Sequence, residues 1–555
     1  MKRQIHTHIW LLLFLFAPLS VMAQRFEYIE REEQSLRNVD GTWIRQPSHR
    51  ILFTMTPQAI DRTRIAQSLV WEFNERTSKN AAPSYMRAHY YLTERLNSQA
   101  SSEYNRLLTQ IWDQAETGKV DTDFLAEITI KPITDAMWFR TPDEDTTQDE
   151  LLAHQRDQFL RGISQKNVDY ARFSLREHPE QLEAVKQFVE ANVTVFRNLE
   201  EGSRCDFCDF GVPFRETDNP IALLLPEIQN MRELARALNV KVMLEIHEKR
   251  YDDVLKSIRA GLAMARHTGK QPCLVCGLVG IAIQGMMLEQ VQNMINSPDC
   301  PNLYWEVSSL PFPFLQYVDA AEIEKQILPQ TFPLLRKAMT DPDAVLDDEW
   351  RLMLKQMNEV MDQLQQGNND NSLLSKLPIK SYVLASYPAA RQWLLDQGKS
   401  ASEIDAMIPE KVVGLHMAYE IRLITGEYFK VMYLPLWERY DAQENVREYF
   451  GNPFGENIFS RRMINMLLPA MQAARCAYQR MQFSVDIMRI AEALRDYAAR
   501  HDGQLPESLD AVTQVPVPMI NPATGRAYEY KLIDGKGQIE AMQISPQSVV
   551  IFEMR

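Results

Sequence analysis

Two cysteine pairs offer the first chemistry in this 555-residue sequence. Cys205 and Cys208 stand in the polar string SRCDFCDFG, and Cys273 and Cys276 precede a long apolar run. Four thiolates can hold zinc tetrahedrally. Either pair can also be a redox dithiol if its surroundings lower a thiol pKa. The third reading is structural thiols or an ordinary disulfide. Wide separation of the pairs weighs against zinc, and no thioredoxin-like βαβ pattern surrounds either one. The structural reading is therefore taken, with Cys205 and Cys208 as disulfide candidates because their string is loop-like. With Cys300 and Cys476 the count is six, too sparse for the disulfide framework of a small secreted domain.

Other reactive side chains fall short of a motif. The histidines at 49, 89, 154, 178, 247, 267, 416 and 501 show no H-E-x-x-H or other close ligand spacing. His267 reads as a helix-end charge. His501-Asp502 could be an acid–base pair, but Gly503 follows, so a capping turn is expected. Asp143–Asp145 and Asp341–Glu349 read as solvated faces. There is no G-x-S-x-G elbow and no phosphate loop. Pro301-Asn302-Leu303-Tyr304-Trp305 is either a packed corner or an aromatic contact site. No catalytic, cofactor-binding or metal-ligating residue is assigned.

The elements around these residues are mostly helical. Glycine is scarce, 20 in 555, which favours helix over a turn-rich β protein. Met231, Ala235, Leu238, Val242 and Ile246 form one stripe, and Tyr251, Val254, Ile258, Leu262 and Ala265 form a second. A short break at Glu248-Lys249-Arg250 should fold them back as an antiparallel pair. Leu274–Asn296 is apolar nearly all round in its first half and should be buried, with Gly277, Gly280 and Gly285 admitting close neighbours. Ile60–Phe73 and Tyr85–Leu96 also carry helical spacing. Near the end, Phe483, Ile487, Ile490, Leu494 and Tyr497 mark a helix from about Gln482 to Arg500. Tyr528, Tyr530 and Leu532 alternate as a strand, Asp534-Gly535 is a turn, and strands follow at 539–544 and 549–552.

The chain opens with Lys2 and Arg3, an apolar run from Ile9 to Ala17, and Val21-Met22-Ala23. That is a secretory signal, with cleavage expected between Ala23 and Gln24. The alternative is an uncleaved anchor, although the run falls short of the roughly 20 residues that span a bilayer. The formal charge is −14, and losing Lys2 and Arg3 leaves the mature chain more acidic still. Such a balance argues against nucleic acid as a partner, since phosphates need a basic surface.

Leu238–Leu262 is similar to a tetratricopeptide unit, two antiparallel helices with small residues facing the partner helix. Tyr251 and Gly261 fit it, while Lys249 replaces the turn glycine and Val254 the usual alanine. Residues 482–545, through ALRDYAARHDGQLPESL and NPATGRAYEY, resemble the globular part of pseudopilins, which implies a helix followed by a small sheet. Pseudopilins carry a membrane helix directly before this part, and this chain does not, so only the local fold is implied. NAAPSYMRA (80–88), MRELARAL (231–238), GLVGIAI (277–283), PNLYWEVSSLP (301–311) and HDGQLPESL (501–509) resemble large exported proteins of planctomycete-type bacteria. That resemblance implies lineage and compartment, without an activity.

The expected fold is mostly α: antiparallel helical hairpins, able to stack as a solenoid, with a small α+β module at the C-terminus. The divisions are a signal peptide (1–23), an N-terminal helical region (24–138), a helical core (151–362) containing a buried hairpin (226–300), a helical region (376–481) and the α+β module (482–555). Two linkers are expected, at 139–150 and 363–375. The expected function is an exported, non-enzymatic helical binding or scaffold protein of the periplasm or extracellular space. It would have a protein partner in the cell envelope, no cofactor, and no transmembrane segment after maturation. The alternative is an extracytoplasmic hydrolase or thiol-redox enzyme whose site is assembled from distant residues.

Overall fold

The structure, a computed structural model, describes residues 35–39, 42–46, 49–63, 67–96, 182–212, 225–315, 318–365, 379–430, 458–522, 525–541 and 548–555, with a few single positions between them. The signal with Ala23 and Gln24, the linker at 139–150, most of the one at 363–375, and the side chain of Cys476 lie outside the described residues. The described chain is mostly helical and falls into two compact units. The first holds 1–72, 208–228 and 262–555; the second holds 73–207 and 229–261.

The second unit begins with strand β4 (Thr77–Asn80) and helix α1 (Ala82–Leu96), and continues with α2 (Leu182–Ala191), α3 (Val193–Ser203) and β5 (Cys205–Phe207). β4 and β5 pair in parallel, and α1 lies along α3. Helix α4 (Pro226–His247) turns back into α5 (Tyr251–Gly269) where the stripes break. Lys241 Nζ donates to Ser257 Oγ at 2.6 Å, equally far from the turn on either side. That bond fixes the antiparallel register of the pair. The turn closes with Arg250 N on Glu245 O (2.9 Å) and Lys249 N on Ile246 O (3.0 Å), the two bonds of a Schellman cap. Lys249 therefore sits in the left-handed region at φ 59°, where glycine is free of strain and lysine is not.

The first unit contains a four-stranded sheet in the order β3 (His49–Met55), β8 (Ser548–Met554), β7 (Lys536–Ala541), β6 (Tyr530–Ile533). β6, β7 and β8 form the expected meander. Asp534 and Gly535, at φ 48° and 75°, make the two-residue turn that such a hairpin favours. The fourth strand, β3, comes from the other end of the chain and runs parallel to β8. Phe53 stacks on Phe552 at 5.5 Å. Phe53, Met55, Ile539, Val550 and Phe552 make the buried face of the sheet. Leu532, on the edge strand, is exposed. The free edge of β3 is covered by helix α6 (Leu274–Ile295): Asn296 Oδ1 accepts from Thr54 N at 3.0 Å, and Gln292 Nε2 donates to Leu52 O at 3.4 Å. Capping an edge in this way removes a template for aggregation. A further hairpin, β1 (Ser35–Val39) and β2 (Thr42–Gln46), precedes β3.

Helix α6 is long and apolar enough to cross a membrane, yet 78% of its apolar window is buried inside the protein. It is the expected core helix. A Cβ on Gly280 would lie 2.7 Å from Ala265 O and 2.8 Å from Gly269 Cα, so glycine is what lets α5 and α6 meet there. Beyond it run α7 (Tyr304–Ser308), α8 (Val318–Thr331), α9 (Pro333–Thr340), α10 (Asp347–Gln365), α11 (Ile379–Asp396), α12 (Ala401–Asp405) and α13 (Pro409–Lys430). Helices α8 to α13 enclose an apolar cluster centred on Trp350, Met353, Val413 and Met417, each fully buried. The last helix, α14 (Ile458–Arg500), runs unbroken for 43 residues. The helix expected to begin near Gln482 therefore begins a good deal earlier.

Ile60–Phe73 departs from its helical expectation. Its described residues are irregular apart from one 3-10 turn at Phe73–Glu75. Side chains replace the missing helical bonds: Ile60 N donates to Asp496 Oδ1 (2.7 Å) and Leu69 N to Ser309 Oγ (2.8 Å). Buried backbone must be paired somewhere, and here the partners are side chains of other elements.

Candidate functional site

The C-terminal turns of α14 carry four charges at helical spacing: Glu492, Arg495, Asp496 and Arg500. Glu492 and Arg495 face inward and are fully buried. Arg495 Nη1 meets both Glu492 oxygens, at 2.9 and 3.0 Å. Its other nitrogens donate to backbone carbonyls, Nη2 to Cys300 O at 2.7 Å and Nε to Thr56 O at 3.0 Å. Desolvation raises the proton affinity of the Glu492 carboxyl, and the Arg495 guanidinium and Leu303 amide oppose that rise. Asn302 Nδ2 donates to Glu492 O (2.8 Å) and Gln58 O (3.1 Å). The result is a knot joining α14, the segment before α7, and the strand end at Thr56. Each partner satisfies another, as burial of charge requires.

One turn further, a second pair reaches from the core to the surface. Arg500, partly exposed, holds fully buried Asp496 through Nη2 and Nε at 2.9 and 3.1 Å. Asp496 and Arg500 line a cleft of about 300 Å³ together with Asp61, Arg62, Trp305 and Gln514. Ile60 and Val515 complete its wall. The string at 301–305 is divided between the inside and the outside of the fold. Asn302 and Tyr304 pack inward, and the Tyr304 hydroxyl donates to Pro516 O. Trp305 is 49% exposed and stands edge-on to Tyr304 at 5.1 Å, facing the cleft. Asp61 Oδ1 accepts from Thr63 N at 2.8 Å, which orders the rim. A cleft of this size, with an aromatic wall and a few placed polar groups, suits a small ligand.

Carboxyls with displaced pKa values lie outside the cleft. Glu324, half-buried on α8, is pushed up to about 7 by desolvation, opposed by the Leu274 amide at 3.3 Å. Asp486 on α14 is pushed up to about 6 by desolvation, against the pull of Arg489 and the Tyr528 hydroxyl. A buried trio in the helical layer has hydrolase-like residue types but not the wiring. Ser460 donates to Glu420, and His416 Nε2 lies 3.5 Å from the other Glu420 oxygen. In a nucleophilic triad the serine donates to the histidine.

Of the cysteines singled out by sequence, Cys205 is buried on β5, with Thr77 Oγ1 donating to its sulfur at 3.6 Å. Cys208 is half-buried beyond that strand. The sulfurs in contact belong to the other pair: Cys273 and Cys276, 2.7 Å apart. Among the described residues no three His, Cys, Asp or Glu side chains converge as a metal site. His501 ends α14 as a cap, stacked on Tyr497 at 3.8 Å, with its ring nitrogen 2.7 Å from Tyr497 O.

No protein-family model, curated protein or solved structure matches this chain. The site is therefore read from its own geometry. Sequence reasoning missed Asp61, Arg62, Asp496, Arg500 and Gln514. The one available signal was the i,i+4 spacing of Asp496 and Arg500, which any solvated helix face also shows.

Proposed function

We propose that this protein is an exported, non-enzymatic binding protein of the bacterial envelope, with the cleft at the end of α14 as its ligand site. The observation that carries this reading is the meeting of half-exposed Trp305 with two guanidinium and two carboxylate groups in about 300 Å³. Arg62 and Arg500 balance Asp61 and Asp496, so the lining suits a neutral or zwitterionic polar ligand, an amino acid or a saccharide, with one flat face for the indole. The carboxyls pushed furthest from their ordinary range, Glu324, Glu492 and Asp486, are not part of this lining, which favours binding over acid–base catalysis. Export is supported by Lys2, Arg3, the Ile9–Ala17 run and Val21-x-Ala23, and by the resemblance to exported planctomycete-type proteins.

A second contact, with a protein partner, is favoured by the other unit. Phe73 is 87% exposed, and Met86 and Tyr90 share one face of α1 with large exposures. Neighbouring exposed apolar side chains, as Met86 and Tyr90 are, suit an interaction surface.

The test is a thermal-shift panel of amino acids and saccharides on the mature protein and on Trp305→Ala. A ligand that raises the wild-type Tm and fails to raise that of the variant is expected. A panel with no shift at all would overturn the ligand reading. N-terminal sequencing that found Met1 retained on a cytoplasmic protein would overturn the export reading.

A further inference from the structure

Cys273 and Cys276 bracket the first turn of α6. Cys273 is its N-cap, with extended backbone at φ −157° and ψ 155°, and its sulfur accepts from Cys276 N at 3.2 Å. The two sulfurs are 2.7 Å apart, within about 0.7 Å of a disulfide bond length. Both residues are nearly sealed from solvent, at 3% and 0% exposure. Gln271 ties the approach to this turn: its Nε2 donates to His267 O at 3.1 Å and to Cys208 O. At Cys276, burial and its thiol neighbour hold the proton on.

We propose that Cys273 and Cys276 are a modification site, closed to an intramolecular disulfide by exchange with a small or protein disulfide. Cys273 gives up its proton to solvent and attacks one sulfur of the donor, expelling a donor thiolate and forming a mixed disulfide. Cys276 then loses its proton to solvent and attacks the Cys273 sulfur, expelling the second donor thiolate. Two protein thiols and one donor disulfide become one protein disulfide and two donor thiols, so atoms and electrons balance. The division of roles follows from position: the thiol at the N-cap attacks, and the thiol within the first turn of α6 resolves. Because both sulfurs are covered, exchange waits for the first turn of α6 to open. The disulfide then clasps the start of the core helix.

The chemistry needs only a disulfide donor, so its test is independent of ligand binding and of export. The full-length protein is reduced, exposed to oxidised glutathione, quenched with N-ethylmaleimide and mapped by peptide mass. The expected result is a peptide containing Cys273 and Cys276 that is lighter by two hydrogens and carries no maleimide. It should form faster in mild denaturant, and it should form equally in a Cys205→Ser/Cys208→Ser variant. Maleimide on both residues after exposure, in native buffer and in mild denaturant alike, would overturn the proposal. So would a disulfide joining Cys273 to any other cysteine.

Discussion

The end of α14 and the helical layer around Trp350 are stabilised in opposite ways. At α14 a buried ion pair, Glu492 with Arg495, ties together backbone at Thr56, Cys300 and Leu303. In the layer, Trp350 lies directly on Gly414, where a Cβ would stand 2.4 Å from the indole ring. The knot works through directed bonds between groups far apart in sequence, and the layer works through shape. Only the knot underlies a cleft with exposed charges. Damage to the knot should therefore reach both stability and binding, and damage to the layer should reach stability alone.

The largest effect should come from Glu492→Ala. It leaves Arg495 buried without its counter-charge, at a cost of about 3–5 kcal/mol, measurable as a lower urea midpoint. Glu492→Leu with Arg495→Met removes both charges and should recover most of that loss. If the single and double variants were equally destabilised, the knot would be acting through packing rather than charge. Trp350→Ala should cost a similar ~3–5 kcal/mol. Gly414→Ala should cost about 1–3 kcal/mol, because the added carbon meets the indole. Both layer variants should bind the cleft ligand normally once folded, which separates the two regions.

A pH titration sharpens the contrast further. Burial raises the folded-state pKa of Glu324 from 4.5 to about 7, so the fold prefers its protonated form. That contribution is full below about pH 4.5 and is lost as pH rises through about 7. Glu324 is half-buried, so the effect is discounted to about 1 kcal/mol. Glu324→Gln should flatten the stability profile between these values and be the more stable protein at pH 8. Urea unfolding at a series of pH values checks it, and an unchanged slope would remove Glu324 as the cause. The smallest effect concerns the second unit: Lys249→Gly relieves a left-handed lysine and should raise Tm, by about 0.5–1 kcal/mol in stability.

Local pattern carried much of the fold. The stripes of α4 and α5, the all-round apolar start of α6, and the Asp534-Gly535 turn depend on neighbours in sequence, and all were legible. β3 was not, because its partner β8 lies at the other end of the chain and strand pairing leaves no mark in local period. Ile60–Phe73 has helical spacing, but the side chains of Asp496 and Ser309 take its amides and hold it irregular. The cleft was hidden for the same reason. It joins Asp61 and Arg62, Trp305, Asp496 and Arg500, and Gln514, which no spacing rule connects. The Pro301–Trp305 string was noticed, but only the fold divides it into inward Tyr304 and outward Trp305.

The most direct test of the binding account is isothermal titration of the strongest compound from the panel into the wild type, Trp305→Ala and Arg62→Ala. Both residues are on the rim, so neither change should lower Tm by much. The expected result is one site per chain in the wild type and about tenfold weaker binding in each variant, a loss of roughly 1.4 kcal/mol apiece. Equal affinity in all three proteins would place the ligand elsewhere and contradict the assignment of the cleft.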